Sequence, residues 1–188
     1  MYESGMRLPA FIKSQALALL AAWLLTPFVH ALPSDKEQPI HIKSDTAEID
    51  DAKGISIYRG NVNIDQGSMN LKAEVVTIYN DEEGISKVIA VGSPAHYRQQ
   101  SEENEPFTHA FGNTINYFLA DERIELRKNA KLQQEQDSFT GDRIDYDMKT
   151  RKVNAYSNQT SGNDSRVQMV LQPKKNKTNP GNGDDSDQ

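Results

Sequence analysis

The segment from residue 43 to 90 recurs, weakly but in register, at 111 to 155. Setting Asp45 against Asn113 fixes an offset of 68, which also places Tyr58-Arg59-Gly60-Asn61-Val62 on Leu126-Arg127-Lys128-Asn129-Ala130. Ala73-Glu74-Val75-Val76 falls on Gly141-Asp142-Arg143-Ile144 with no gap. Lys87-Val88-Ile89-Ala90 then matches Lys152-Val153-Asn154-Ala155 at an offset of 65, so the second copy is three residues shorter at the Asp81 to Gly84 turn, where hairpin tips absorb deletions. Both copies alternate apolar and polar side chains with the two-residue period of strands. The chain is therefore expected to be a duplicated all-β protein.

Sixteen short alternating runs lie between residues 39 and 171, separated by turn formers such as Asp51-Ala-Lys-Gly54, Gln66-Gly67, Asn80-Asp-Glu-Glu-Gly84 and Gly92-Ser-Pro94. This spacing predicts an elongated, twisted β-jelly roll of about 16 antiparallel strands, in repeat units of about 39–100 and 107–171. The polar break at 101–106 separates the two units. A strand exposes alternate residues to one face. That rule puts Ile42, Val62, Ile64, Leu71, Val76, Ile78, Ile115, Tyr117, Leu119, Ile124, Leu132, Ile144 and Tyr146 in a common interior, together with Ile40, Ile49, Val167, Met169 and Leu171. Around Tyr58 the register is open, because Ile55 and Ile57 compete with it for the inward face.

The first 31 residues have the parts of an export signal: Arg7 and Lys13, an apolar stretch from Ala16 to Leu25, Pro27, and Val29-His30-Ala31 as the small-x-small cleavage pattern. Cleavage after Ala31 would leave a folded domain over 32–173. The tail at 174–188 is polar and is expected to be disordered. A net charge of −6 with no basic stripe visible in the sequence disfavours a nucleic-acid partner. The absence of cysteine excludes disulfides and thiol catalysis.

No nucleophile–base pattern, phosphate-binding glycine loop, metal-ligand spacing or cofactor motif occurs. Asp142, Asp145 and Asp147 would alternate faces on a strand or sit at a turn, and their spacing does not establish the converging pair that glycoside hydrolysis requires. A non-enzymatic role is expected. The terminal strands Pro39–Lys43 and Arg166–Leu171 are apolar-alternating and uncapped, so head-to-tail addition between copies is physically natural. An apolar interior open at such ends suits an acyl chain; the alternative is a scaffold of strand repeats that carries nothing.

Several motifs, in this order, resemble one family: Gln38-Pro-Ile-His-Ile-Lys-Ser-Asp45, Tyr58-Arg-Gly-Asn-Val62, Lys72-Ala-Glu-x-Val76, Gly92-Ser-Pro-Ala95, Ile115-Asn-Tyr117, Asn129-Ala-Lys-Leu132, Gly141-Asp-Arg-Ile-Asp-Tyr146 and Lys152-Val-x-Ala-Tyr-Ser157. Over residues 38 to 171 the chain is similar to the periplasmic lipopolysaccharide-transport family with an OstA-like, LptA-type domain. The resemblance implies a jelly roll that binds lipopolysaccharide by its lipid A portion and oligomerises head to tail. It implies a bridge from the inner-membrane LptBFGC complex to the outer-membrane LptD/LptE translocon. Family positions that meet the lipid fall on Ile40, Ile42, Tyr97, Tyr117 and Leu119. Of these, alternation alone does not place Tyr97 inside. Joining edges would involve Ile40, Ile42, Val167, Met169 and Leu171. One departure is Lys128-Asn129, which stands where the family's turn has Gly-Asn.

Overall fold

The structure is a computed structural model that describes residues 35–100, 105–158 and 166–173. The expected signal peptide and C-terminal tail lie outside the described residues. Contacts part the chain at Pro33/Ser34, and every described residue falls in the second unit, Ser34–Gln188.

After a short 3₁₀ turn (Asp35–Glu37), ten antiparallel strands follow: β1 (His41–Lys43), β2 (Thr46–Asp50), β3 (Ile55–Gln66), β4 (Met69–Asp81), β5 (Gly84–Gln99), β6 (Thr108–Phe118), β7 (Arg123–Gln134), β8 (Asp137–Asp147), β9 (Lys152–Tyr156) and β10 (Gln168–Val170). They form one sheet in the order β1-β3-β4-β5-β6-β7-β8-β10, with β2 also on β3 and β9 also on β8. The sixteen alternating runs of the sequence correspond to these ten strands because six pairs of runs are each one long strand. Runs 55–59 and 61–66 are the halves of β3, and the same holds for β4 to β8. Between the halves the pairing register slips, at Arg59/Val62, Lys72/Val75, Val91/Ala95, Phe111/Thr114 and Arg127/Ala130. A bulge bends a strand and sharpens its twist. Aligned on neighbouring strands, these slips fold the sheet along one line into two facing layers, the architecture of a twisted β-jelly roll.

Layer I contains β1, residues 62–66, 69–72, 95–99, 108–111, 130–134 and 137–141, and β10. Layer II contains β2, residues 55–59, 75–79, 87–91, 114–118, 123–127 and 143–147, and β9. At the fold line the layers approach most closely, and the positions paired there are small: Ala95 with Gly112, and Ala130 with Gly141. A Cβ on Gly141 would sit 2.8 Å from the Tyr156 carbonyl oxygen, closer than any side chain tolerates.

The duplication is visible in hydrogen bonds as well as in letters. The fold-line turn of β3 is Gly60 (φ 80) and Asn61 (φ 46), and that of β7 is Lys128 (φ 58) and Asn129 (φ 54). Asn61 Nδ2 donates to Asp45 Oδ2 at 3.2 Å, and Asn129 Nδ2 donates to Asn113 Oδ1 at the same distance. Lys128 thus adopts the left-handed conformation of its glycine counterpart, so the turn keeps its type despite the departure from Gly-Asn. The copies also differ in where strands break: β6 is continuous where the first copy is cut at Ser44-Asp45 into β1 and β2, and β5 is continuous where the second copy has β9 and β10 apart.

Candidate functional site

Cross-strand registers turn the inward positions into rows that run the length of the sheet. In layer I one row is Ile42, Ile64, Leu71, Tyr97, Ala110, Leu132, Phe139 and Met169, each directly opposite the next. In layer II a row nearest the fold line is Ala47, Tyr58, Val76, Ala90, Ile115, Leu126, Ile144 and Ala155. Beside it runs Ile49, Ser56, Ile78, Val88, Tyr117, Ile124, Tyr146 and Val153. Eight strands at ~4.8 Å spacing make each row about 34 Å long. Tyr58 therefore holds the inward face, Ser56 is buried beside it, and Ile55 and Ile57 face outward without any bulge between them.

The middle of these rows is a closed core: Val76, Ala90, Ile124, Leu126, Leu132 and Ile144 have no exposed surface. The ends are not closed. Ile49, on the β2 edge, is 61% exposed although its row is apolar throughout but for Ser56, and Met169, on the β10 edge, is 53% exposed. The expectation that Ile49 and Met169 lie in the interior is met by facing but not by burial, because no described strand pairs beyond β1, β2, β9 or β10 to cover them.

The residues singled out from the sequence divide accordingly. Tyr97 (2% exposed), Tyr117, Leu119 and Ile42 belong to or pack on the one apolar cluster. Tyr97 from layer I meets Tyr117 from layer II edge to face, with centroids 5.9 Å apart. Ile40 precedes β1 and is exposed, so it extends the layer I edge and is not part of the core. Val167 and Leu171 flank β10 and are exposed beside Met169. Alternation missed Phe139, which the register places opposite Met169 and Leu132, and Met148, whose Sδ lies 3.8 Å from the Tyr97 hydroxyl. The slip between Val91 and Ala95 hides Tyr97 from a simple count along β5.

Burial pushes the Tyr97 hydroxyl well above its ordinary pKa, with Tyr117, Asp35 and Tyr146 adding to the effect. Burial likewise raises Tyr117, assisted by Glu122 and Asp35. Both phenols are neutral hydrogen-bonding groups at any physiological pH. Tyr97 donates to Gln99 Oε1, and Gln99 Nε2 donates to Asp35 Oδ2 at 3.0 Å. Asp35 also accepts from the Ser68 backbone amide (2.7 Å) and hydroxyl (2.5 Å), which ties the 3₁₀ turn to the β3–β4 hairpin. Among the described residues no three His, Asp or Glu side chains gather into a metal-sized cluster.

Comparison with known proteins matches this architecture to one group. A family model described as LptA/(LptD N-terminal domain) LPS transport protein matches residues 41–152. The lipopolysaccharide export system protein LptH of Pseudomonas aeruginosa is 42% identical over 160 residues, which is 83% of this chain and 91% of LptH. The lipopolysaccharide export system protein LptA of Escherichia coli K12 is 33% identical over 159 residues, 82% of this chain and 83% of LptA. The crystal structure of the P. aeruginosa LptH, described as the LptA-homologous periplasmic component of the conserved lipopolysaccharide transport device, superposes with a TM-score of 0.68 at 41% identity. It covers 75% of this chain and all of that one. With a folded, duplicated sheet, a single apolar interior and these relatives, the chain belongs to the LptA/LptD N-terminal-domain family of lipopolysaccharide transport proteins.

Proposed function

We propose that this protein is a periplasmic bridge that carries lipopolysaccharide from the inner to the outer membrane, holding the acyl chains of lipid A between the two layers. The observation that carries the reading is the pair of layer-spanning apolar rows that reach both sheet edges and end on exposed Ile49 and Met169. An acyl chain of about a dozen carbons exposes on the order of 10 kcal/mol of hydrophobic free energy in water at ~0.8 kcal/mol per methylene, so a carrier must enclose it. Ile42, Tyr97, Tyr117 and Leu119 line the enclosure, and Ile40 stands at its entry edge. Copies join head to tail, β1 and β2 of one beside β9 and β10 of the next, so that Ile40 and Ile42 meet Val167, Met169 and Leu171 and the rows continue from molecule to molecule. A heterologous contact of this kind extends without closing.

In this reading the segment 1–31 exports the chain and is removed. The inner-membrane LptBFGC complex and the outer-membrane LptD/LptE translocon take the two ends, and the energy comes from the partner ATPase. The protein is not an enzyme. A second reading, a scaffold without ligand, draws support from the closed middle of the core, where side chains such as Val76, Leu126, Leu132 and Ile144 have no accessible surface. Solvent extraction of the purified protein followed by mass spectrometry separates the two: lipid A in the extract supports the carrier, and a clean extract from a detergent-free preparation supports the scaffold. Ile42→Glu and Leu119→Glu, each placing an unpaired charge among methylenes, are expected to abolish lipid retention. Retention at the wild-type level contradicts the assigned lining.

A further inference from the structure

On the inner face of layer I the side chains change character one step beyond the apolar row. Tyr97, Ala110 and Leu132 stand opposite one another, and two residues further from the fold line stand Gln99, Thr108 and Gln134, also directly opposite one another. Thr108 is buried and both glutamines are half-buried. Their polar groups are engaged with hydroxyls at the border of the core. Gln99 accepts from Tyr97, while Gln134 Nε2 donates to Tyr146 Oη at 2.9 Å and to Thr108 Oγ1 at 3.2 Å. The Gln134–Tyr146 bond and the Tyr97–Met148 contact connect layer I to layer II, so these groups hold the mouth between the layers shut.

We infer that Gln99, Thr108 and Gln134 form a hydrogen-bonding rank along this mouth that receives the uncharged amide, ester and hydroxyl groups where acyl chains join a sugar head. The inference rests on the lipid-carrier reading above and adds the part of the ligand that the apolar rows do not address. An amide or hydroxyl of the ligand replaces a tyrosine hydroxyl without leaving a half-buried glutamine unpaired. A bare hydrocarbon chain that parts the layers leaves it unpaired, and an unmade hydrogen bond in such a place is costly. The rank contains no cation, and the charged group bonded to it is the Asp35 carboxylate on Gln99. It therefore favours neutral polar groups over phosphate.

The test is displacement of an environment-sensitive naphthylamine dye from the mature full-length protein by purified lipid A or by palmitate. Gln99→Leu/Gln134→Leu is expected to weaken competition by lipid A about tenfold, as the removal of two hydrogen bonds implies, and to leave palmitate unweakened or more competitive, since no glutamine remains for a bare chain to unpair. Thr108→Val, nearly isosteric, is expected to weaken lipid A about threefold with the same selectivity. Equal losses for both competitors, or an unchanged lipid A constant in variants whose melting temperature matches the wild type, would overturn the inference. If the wild-type protein releases the dye to neither competitor, the carrier reading itself fails, and the inference with it.

Discussion

Lys128 and Gly60 occupy the same place in the two copies, with φ of 58 and 80 degrees. A β-carbon is strained there, yet only the second copy has one. A Cβ at Gly60 would overlap the Asp45 carboxylate, and Asn113 stands in the place of Asp45 in the second copy. Lys128→Gly is accordingly expected to raise the urea midpoint by the equivalent of about 0.5–1 kcal/mol, since left-handed strain is relieved while the exposed lysine side chain gives up no core packing, and Gly60→Lys is expected to lower it. An unchanged midpoint for Lys128→Gly would show that the turn is not strained. At this scale much of the interior was legible, because a two-residue period identifies Ile64, Leu71, Ile124 and Tyr146 from letters alone. Tyr97 was not, because a register slip resets the count between Val91 and Ala95. Tyr58 was ambiguous because three apolar residues crowd one short run, and the pairing of Tyr58 with Ala47 and Val76 decides it.

The elements show why sixteen runs became ten strands. A bulge interrupts alternation as a turn does, and letters do not distinguish a bend within a strand from a reversal between strands. What folds the sheet, the alignment of slips on neighbouring strands, is a property of pairing between residues far apart in the chain. The same holds for the outer face of layer I, where Lys43, Lys72, Arg98 and Lys131 from four strands assemble beside one carboxylate, Asp65, itself held by Asn63 and Asn70. No basic stripe is visible in the sequence, yet the register builds one. Within it His96 Nε2 lies 3.1 Å from His109 Nδ1, and His96 stacks on Phe111 at 4.3 Å. His96 faces outward but is half-buried. Burial lowers the pKa of His96, as do His109, Lys72 and Arg98; burial and then Arg98 lower that of His109. Because the folded state favours the neutral rings, their contribution to stability is complete above the unfolded value of about 6.5 and is lost as pH falls through the depressed folded values. The urea midpoint is expected to decline from pH 7 to 5, and to decline less in His96→Asn/His109→Asn. Identical slopes for the two proteins would mean that the pair is not the origin.

At the scale of the whole molecule, a folded sheet with a closed middle and two uncovered apolar ends has two ways to hide those ends: another copy or a partner with the same edge. Deleting residues 166–188 removes β10 with Met169 and Leu171, and light scattering across a concentration series is expected to give monomers where the intact mature protein gives concentration-dependent, open-ended assemblies. Equal masses for the two would contradict the head-to-tail contact. The architecture was legible in the duplication, and much of the apolar interior in the periodicity. Which residues end exposed was not, because an edge strand has the same alternation as a central one and differs only in lacking a neighbour. In the proposed carrier the space between the layers takes up the acyl chains of lipopolysaccharide. A photo-crosslinking residue placed at Tyr97 on the inner face, and in a second protein at Phe111 on the outer face, measures this directly in cells exporting lipopolysaccharide. Capture of lipopolysaccharide at position 97 and none at position 111 is the expected result; equal capture at both positions, or none at 97, contradicts it.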